Sequence, residues 1–185
     1  RRSSDLDEFR ASLDRWDPEA WADAFARAGA GYVVMVTKHA DGFSLWPTEV
    51  AHPTRERWHS ERDLVGELAA AVRDRGLRFG TYYCGGMDWA FDERPMGTPA
   101  DVLRTVPHSP AYVAFAEAQV RELVDRYEPS VLWNDIAWPV GGDRLRTLLA
   151  DYYAAVPDGV VNDRWGLDGT NPSDFRTFEY DVPTD

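Results

Sequence analysis

Residues 130–139 read Ser-Val-Leu-Trp-Asn-Asp-Ile-Ala-Trp-Pro, which places a carboxylate after a short apolar run and between two tryptophans. Val131 and Leu132 are typical of a buried parallel strand, which becomes polar only where it reaches the surface. Asp135 is therefore predicted at the carboxyl end of a strand. Indole rings beside a carboxylate suit a sugar, whose C–H faces stack on aromatic rings while its hydroxyls need hydrogen-bond partners. The local sequence equally allows Asp135 to be a cap and the tryptophans to be packing residues.

Other polar side chains also follow predicted strands. Four further strands are predicted, each with polar residues at its end, over 32–37, 77–83, 160–165 and 175–180. Together with Asp135, the candidate site residues at the strand ends are His39, Tyr82, Arg164 and Glu179. The carboxyl edge of a parallel sheet is where alternating strand and helix folds keep their active sites. An open doubly wound sheet would use the same edge, but the glycines of 80–86 lack the spacing of a phosphate-binding loop.

The elements that must position these residues alternate between helix and strand. Helices are predicted over 5–13, over 17–28 with Asp17 as N-cap, over 60–76 with a capping box from Ser60, over 109–127 and over 143–156. On the 17–28 helix, Trp21, Ala24, Phe25 and Ala28 form the predicted buried face. The segment 87–107 is predicted to be a long irregular loop. Strands spaced 30 to 50 residues apart with helices between them predict a parallel sheet with right-handed crossovers.

Composition sets limits on function. A chain of 185 residues fits one globular domain, and its net charge of −12 argues against nucleic acid or an anionic membrane surface as a partner. No apolar stretch approaches the about 20 residues of a membrane helix. The single cysteine, Cys84, excludes an intrachain disulfide and a cysteine-based zinc site, and is interpreted as a small buried residue. His39 and Asp41 alone are too few ligands for a metal, and no cofactor is indicated.

Six blocks, in order along nearly the whole chain, resemble the α-L-fucosidases of glycoside hydrolase family 29. Each block is weak alone, but their succession is specific. They are 28–32 running into Lys-His-Ala-Asp-Gly-Phe-Ser-Leu-Trp at 38–46, Arg-Asp-Leu-Val-Gly-Glu at 62–67, Phe-Gly-Thr-Tyr-Tyr at 79–83, Leu-Trp-Asn-Asp at 132–135, Val-Asn-Asp-Arg-Trp at 161–165 and Asp-Phe-Arg-Thr-Phe-Glu-Tyr at 174–180.

The resemblance implies a (β/α)8 TIM-barrel-like catalytic domain with about five of its eight strands present, and a retaining exo-glycosidase that removes terminal α-L-fucose from glycans or small fucosides. It implies Asp135 as nucleophile, Glu179 as general acid/base, and four sugar-binding residues, His39, Tyr82, Trp133 and Arg164. Retaining hydrolysis needs the two carboxyl groups about 5 to 5.5 Å apart, one ionised and one protonated. We expect Arg164 to help hold Asp135 ionised, and partial burial beside that charge to keep Glu179 protonated.

Each assignment has a structural alternative. Arg164 would then pair with Asp163 or Asp168 on the surface, Trp133 would belong to the core, and His39 would be a structural histidine. Two alternative functions also remain open, a retaining glycosidase for another sugar and a non-catalytic sugar-binding derivative or inactive fragment.

The chain departs from the family pattern in two respects. Ala40 stands where members usually have a second, sugar-binding histidine. A TIM barrel typically needs about 250 residues, so residues 1–185 are expected to be part of a single catalytic domain, incomplete at both ends and poorly active alone. The absence of a signal peptide slightly favours the cytoplasm, while an incomplete N-terminus leaves secretion open. A homo-oligomer is also left open.

Overall fold

The structure is a computed structural model that describes residues 3–95, 97–166 and 171–179. Helices and strands alternate along most of its length. In order they are α1 Ser3–Leu13, α2 Pro18–Arg27, β1 Tyr32–Lys38, α3 Leu64–Asp74, β2 Arg78–Cys84, α4 Pro99–Arg104, α5 Pro110–Tyr127, β3 Val131–Asp135, α6 Gly142–Ala155 and β4 Val160–Val161, followed by a 3-10 turn at Asp163–Trp165. None of the helices within these described ranges is long and apolar enough to cross a membrane.

The four strands form one parallel sheet in the order β1-β2-β3-β4. Sequential parallel strands joined through helices are the arrangement of a (β/α)8 barrel, so the predicted fold class is confirmed as a partial barrel. Within the described residues 175–179, the fifth predicted strand forms a single parallel bridge, between Asn162 and Phe175. The predicted strand 160–165 is also shorter than expected, because the chain turns into the 3-10 helix after Val161.

The core lies between the sheet and its helices. The buried face of α3 includes Leu64, Leu68, Ala71 and Val72, and that of α5 includes Val113, Ala116, Val120, Leu123 and Val124. On the sheet, Phe79, Tyr83, Leu132 and Val161 belong to the same cluster. Since side chains alternate along a strand, Tyr82, Trp133 and Asp135 project from the opposite face of the sheet.

Aspartate side chains cap the N-termini of both α2 and α3. The Asp17 side chain accepts a hydrogen bond from Ala20 N at 3.0 Å, which confirms it as the cap of α2. The predicted cap of α3 was wrong: Asp63 is the N-cap and accepts from Gly66 N at 2.9 Å, while Ser60 bonds to the backbone of Arg62. The segment predicted to be irregular contains the short helix α4.

Of the predicted apolar face of α2, only Phe25 packs against the core. Ala22 is its buried residue, whereas Trp21 is 52% exposed and Ala24 and Ala28 are exposed. The helix packs on α3 through the face that carries Ala22. Trp21 instead lies at the surface in tilted contact with the rings of Trp16 and Phe25, with its centroid 5.7 Å from each.

One face of strand β1 packs against the core. Val33 and Met35 pack against the main core, while Tyr32 and Val36, which alternate with them, are 59% and 43% exposed. Within the described sheet, β1 has a neighbour on one side only. β1 is therefore an edge strand of the described sheet.

Candidate active site

The sheet register places the predicted site residues side by side. Tyr82 on β2 lies opposite Trp133 on β3, and Cys84 lies opposite Asp135. Tyr82 and Asp135 are therefore diagonal neighbours on the barrel-facing side of two adjacent strands. Asp135 is the last residue of β3, as predicted.

Both oxygens of Asp135 receive a hydrogen bond. The Tyr82 hydroxyl donates to Oδ2 at 2.5 Å, and Nη1 of Arg164 donates to Oδ1 at 2.6 Å. The Asp135 side chain is only 17% exposed. Both bonds are short and donate to a carboxylate oxygen, which is the geometry of charge-assisted hydrogen bonds.

The Arg164 guanidinium also holds the second predicted carboxylate. Its Nη2 donates to Oε2 of Glu179 at 2.6 Å, while Nη1 serves Asp135. Asp135 and Glu179, 44 positions apart in the sequence, therefore lie within two hydrogen bonds and the width of one guanidinium of each other. Glu179 is 53% exposed and paired with a cation, so it does not sit in the partly buried setting that we expected for it.

Electrostatics follow from these contacts. Burial alone lowers the pKa of Arg164, but the hydrogen bonds to Glu179 and Asp135 outweigh it, and the pKa is raised. Burial, followed by the hydrogen bond to Asp135, raises the pKa of Tyr82 far above its usual value. Tyr82 is therefore a neutral hydrogen-bond donor and Arg164 a cation.

His39 and Trp133 complete the predicted set. The His39 ring is exposed and stacks on Tyr82, with centroids 5.8 Å apart and planes 5° from parallel. Trp133 is half-buried and contacts the ring of Phe175 at 5.5 Å. All six residues thus gather at one edge of the sheet. The surface pairing considered for Arg164 is not formed with Asp163, which accepts from Thr177 N, and Asp168 lies outside the described residues.

A buried ion pair next to His39 escaped the sequence prediction. Lys38 Nζ donates to Asp88 Oδ2 at 3.0 Å, and both side chains are fully buried. The ammonium lies 4.6 Å from the ring centroid of Tyr83. Trp89 N donates to Ala40 O at 2.7 Å, so the segment after β2 is fastened to the segment that carries His39. A lysine that follows an apolar run is ordinarily interpreted as the point where a strand surfaces, and this is why its burial was missed.

Ala40 also lies in a closed environment. It is 2% exposed and forms a small cluster with Cys84 and Met87, against which Tyr82 packs. Cys84 is buried as predicted, and burial raises its pKa to about 11. Residues 3–95, 97–166 and 171–179 contain no group of three or more His, Cys, Asp or Glu side chains arranged to hold a metal ion.

Comparison with known proteins supports the resemblance drawn from the six blocks. The sequence model of the family described as alpha-L-fucosidase matches residues 5–185. Tissue alpha-L-fucosidase of Rattus norvegicus is 39% identical over 159 residues, and that of Homo sapiens is 36% identical over 159 residues. In both cases the match covers 80% of this chain and 32% of the relative. The chain therefore spans about a third of the length of these relatives.

Solved structures agree with the sequence matches. The crystal structure of Thermotoga maritima alpha-fucosidase with a mechanism-based inhibitor superposes with a TM-score of 0.82 at 48% identity, over 91% of this chain and 39% of that chain. The same enzyme in complex with fucose gives a TM-score of 0.79 at 48% identity, over 88% and 38%. Family model, sequence relatives and fold agree, and the chain belongs to the α-L-fucosidase family.

Proposed function

We propose that this chain carries the catalytic pair of a retaining α-L-fucosidase and forms part of a single (β/α)8 catalytic domain. Its substrate is a terminal α-L-fucoside of a glycan or small glycoside. The observation that carries the proposal is the Arg164 guanidinium, which binds Asp135 and Glu179 at 2.6 Å each and so brings two acids from distant segments to one mouth. A retaining glycosidase requires two carboxyl groups at such close range.

In the proposed mechanism Asp135 attacks the anomeric carbon and Glu179 gives its proton to the departing glycosidic oxygen. A covalent fucosyl ester on Asp135 results. Glu179, now ionised, then takes a proton from a water molecule that attacks the same carbon, and free fucose leaves with its original configuration. His39, Tyr82 and Trp133 line the same edge and supply hydrogen bonds and an aromatic surface to the sugar.

The bridging arginine suits both steps. Before attack, the negative charge is on Asp135 and the proton is on Glu179. In the ester intermediate, Asp135 is neutral and Glu179 carries the charge. Arg164 therefore faces one negative charge in each state, and the charge moves from one arm of the guanidinium to the other. A fixed cation that needs no rearrangement between states is the kind of preorganised electrostatic support that lowers a barrier.

The experiment uses the natural gene product and an aryl α-L-fucoside. We expect hydrolysis whose first-formed product is α-fucose by NMR, and a loss of about 10³-fold or more in kcat for Asp135→Ala. Azide should restore turnover of that variant with formation of β-fucosyl azide, because azide enters the space that the carboxylate vacates. The matched control is Asp143→Ala, which removes a carboxylate that is 98% exposed on α6 and pairs with Arg146.

Other outcomes identify the alternatives. A first-formed β anomer would refute retention, and an unaffected rate in Asp135→Ala would remove that residue from the mechanism. Faster hydrolysis of an aryl β-galactoside would identify a glycosidase for another sugar. Binding of fucose by calorimetry without turnover would identify a non-catalytic sugar-binding protein.

A further inference from the structure

Two asparagines adjacent to the site are fully buried and bind backbone rather than solvent. Asn134 and Asn162 are each 0% exposed. Each immediately precedes an acidic residue, Asp135 or Asp163, in the sequence. Neither faces the mouth, and the chemistry proposed above uses neither.

Asn134 ties the site arginine to the strand that carries Asp135. Its Nδ2 donates to the carbonyl oxygen of Arg164 at 2.7 Å, and its Oδ1 accepts from Gly85 N at 3.1 Å. The approach at Gly85 is close, since a Cβ there would meet Asn134 Oδ1 at 2.4 Å. The main chain of Arg164 is thereby fixed to the residue next to Asp135.

Asn162 continues the sheet where β4 has ended. Backbone pairing of β3 with β4 stops at Leu132 and Val161. Beyond it, the Asn162 side chain takes the place of a peptide group: Oδ1 accepts from Asn134 N at 3.0 Å, and Nδ2 donates to Asn134 O at 2.8 Å. The chain can therefore leave the sheet and form the turn that carries Arg164 without orphaning buried backbone groups.

The same side chain reaches the segment that carries Glu179. Asn162 Nδ2 also donates to Thr177 Oγ1 at 3.1 Å, and Thr177 N donates to Asp163 Oδ1 at 2.9 Å. Thr177 lies two residues before Glu179. One buried amide thus contacts both the strand of the first acid and the segment of the second.

We propose that Asn134 and Asn162 are positioning residues of the hydrolytic site, which set Arg164 and Glu179 against Asp135 through the contacts of their side-chain amides. The inference rests on the function proposed above. Each amide bridges a backbone N–H and a backbone carbonyl, so the position requires one donor and one acceptor. Aspartate would turn an oxygen toward a carbonyl oxygen, and leucine would leave both groups unpaired.

Two variants test this role in the natural gene product. Asn162→Asp removes the donor to Asn134 O and Thr177, and Thr177→Val removes only the hydroxyl acceptor while keeping side-chain shape. The matched control is Gln119→Glu, which converts a buried amide on α5 that is bonded to Tyr83 and Ser44, away from the two acids. Melting temperature, kcat and KM are measured for each.

Asn162→Asp should lower kcat by about 10- to 100-fold with little change in KM, because displacement of a catalytic group by about 1 Å costs about that much. For Thr177→Val the decisive readout is the leaving group. If Glu179 is misplaced, kcat/KM, which reports formation of the ester, should fall for a 4-methoxyphenyl fucoside, which needs acid assistance, and hold for a 2,4-dinitrophenyl fucoside, which does not. A structural role alone would not produce this dependence.

The inference is overturned if Thr177→Val changes kcat/KM equally for both fucosides, or if folded Asn162→Asp retains as much kcat as Gln119→Glu. Should Asn162→Asp fail to fold, the Thr177→Val comparison decides alone. Wild-type hydrolysis that depends on Asp135, together with either negative result, defeats only the positioning role. A wild type that hydrolyses neither fucoside defeats the proposed function and this inference with it.

Discussion

Replacement of Arg164 by methionine would remove the cation that Asp135 and Glu179 share, while keeping an unbranched side chain of similar length. The two arms of the guanidinium differ in environment. Both Arg164 and Asp135 are about four-fifths buried, at 20% and 17% exposed, whereas Glu179 is 53% exposed. A hydrogen bond to a charged group in the protein is worth about 1.5 to 3 kcal/mol, and an exposed ion pair about 0 to 1 kcal/mol.

Loss of the hydrogen bond to Asp135 and of the ion pair with Glu179 together should cost Arg164→Met about 1.5 to 4 kcal/mol of transition-state stabilisation. At about 1.36 kcal/mol per tenfold, kcat/KM should fall between about 10-fold and 10³-fold. Arg164→Lys provides a point charge that serves one carboxylate at a time, so we expect it to recover part of the loss.

The assay is hydrolysis of an aryl α-L-fucoside by the natural gene product under subsaturating conditions. Arg176→Met is the matched control: it removes the same charge from the segment of Glu179, but its guanidinium lies over the ring of Phe178, 5.3 Å from the centroid. Equal losses in Arg164→Met and Arg176→Met would show that only the net charge near the mouth matters. A kcat/KM of Arg164→Met within twofold of wild type would refute the bridging role.

Two predictions concern stability, measured by urea denaturation. Lys38→Met should lower the free energy of unfolding by about 3 to 5 kcal/mol, because it leaves the fully buried Asp88 without its cation. The double variant Lys38→Met with Asp88→Asn should lose less. A loss below about 1 kcal/mol in the single variant would contradict the importance of the pair. Burial raises the pKa of Cys84 from 9.0 to about 11, so the thiol contributes stability that is fully present below pH 9 and is lost as pH rises toward 11. The stability advantage of wild type over Cys84→Ala should therefore fall by about 1 kcal/mol between pH 8 and pH 10, and a constant difference would show that the thiol titrates normally.

Local signals in the sequence were sufficient to predict most elements and the edge that holds the site. Asp17 and Ser109 begin helices where their cap chemistry indicates, and the apolar run before Asp135 ends where a strand should surface. The convergence of Tyr82 and Arg164 on one carboxylate follows from the parallel topology. Each of these inferences needs only neighbouring residues and the rule that parallel strands share a carboxyl edge.

Features that depend on distant partners could not be predicted. The burial of Lys38 depends on Asp88, 50 positions away, and local sequence shows only a lysine after an apolar run. The outward position of Trp21 depends on which face of α2 meets α3, and helical periodicity alone does not show that this face carries Ala22. In both cases a tertiary contact overrides a local preference.

The early end of β4 links the fold of this chain to its site. Had the strand run to 165, backbone pairing with β3 would have continued, and Asn162 would have been one more side chain in a ladder. Because the chain turns at Asp163 instead, the N–H and carbonyl of Asn134 lose a backbone partner in a fully buried place, where an unmade hydrogen bond costs about 1 to 3 kcal/mol. The Asn162 amide supplies both bonds, at 3.0 and 2.8 Å. The residue that allows the strand to stop is thus also the one that joins the strand of Asp135 to the segment that carries Glu179.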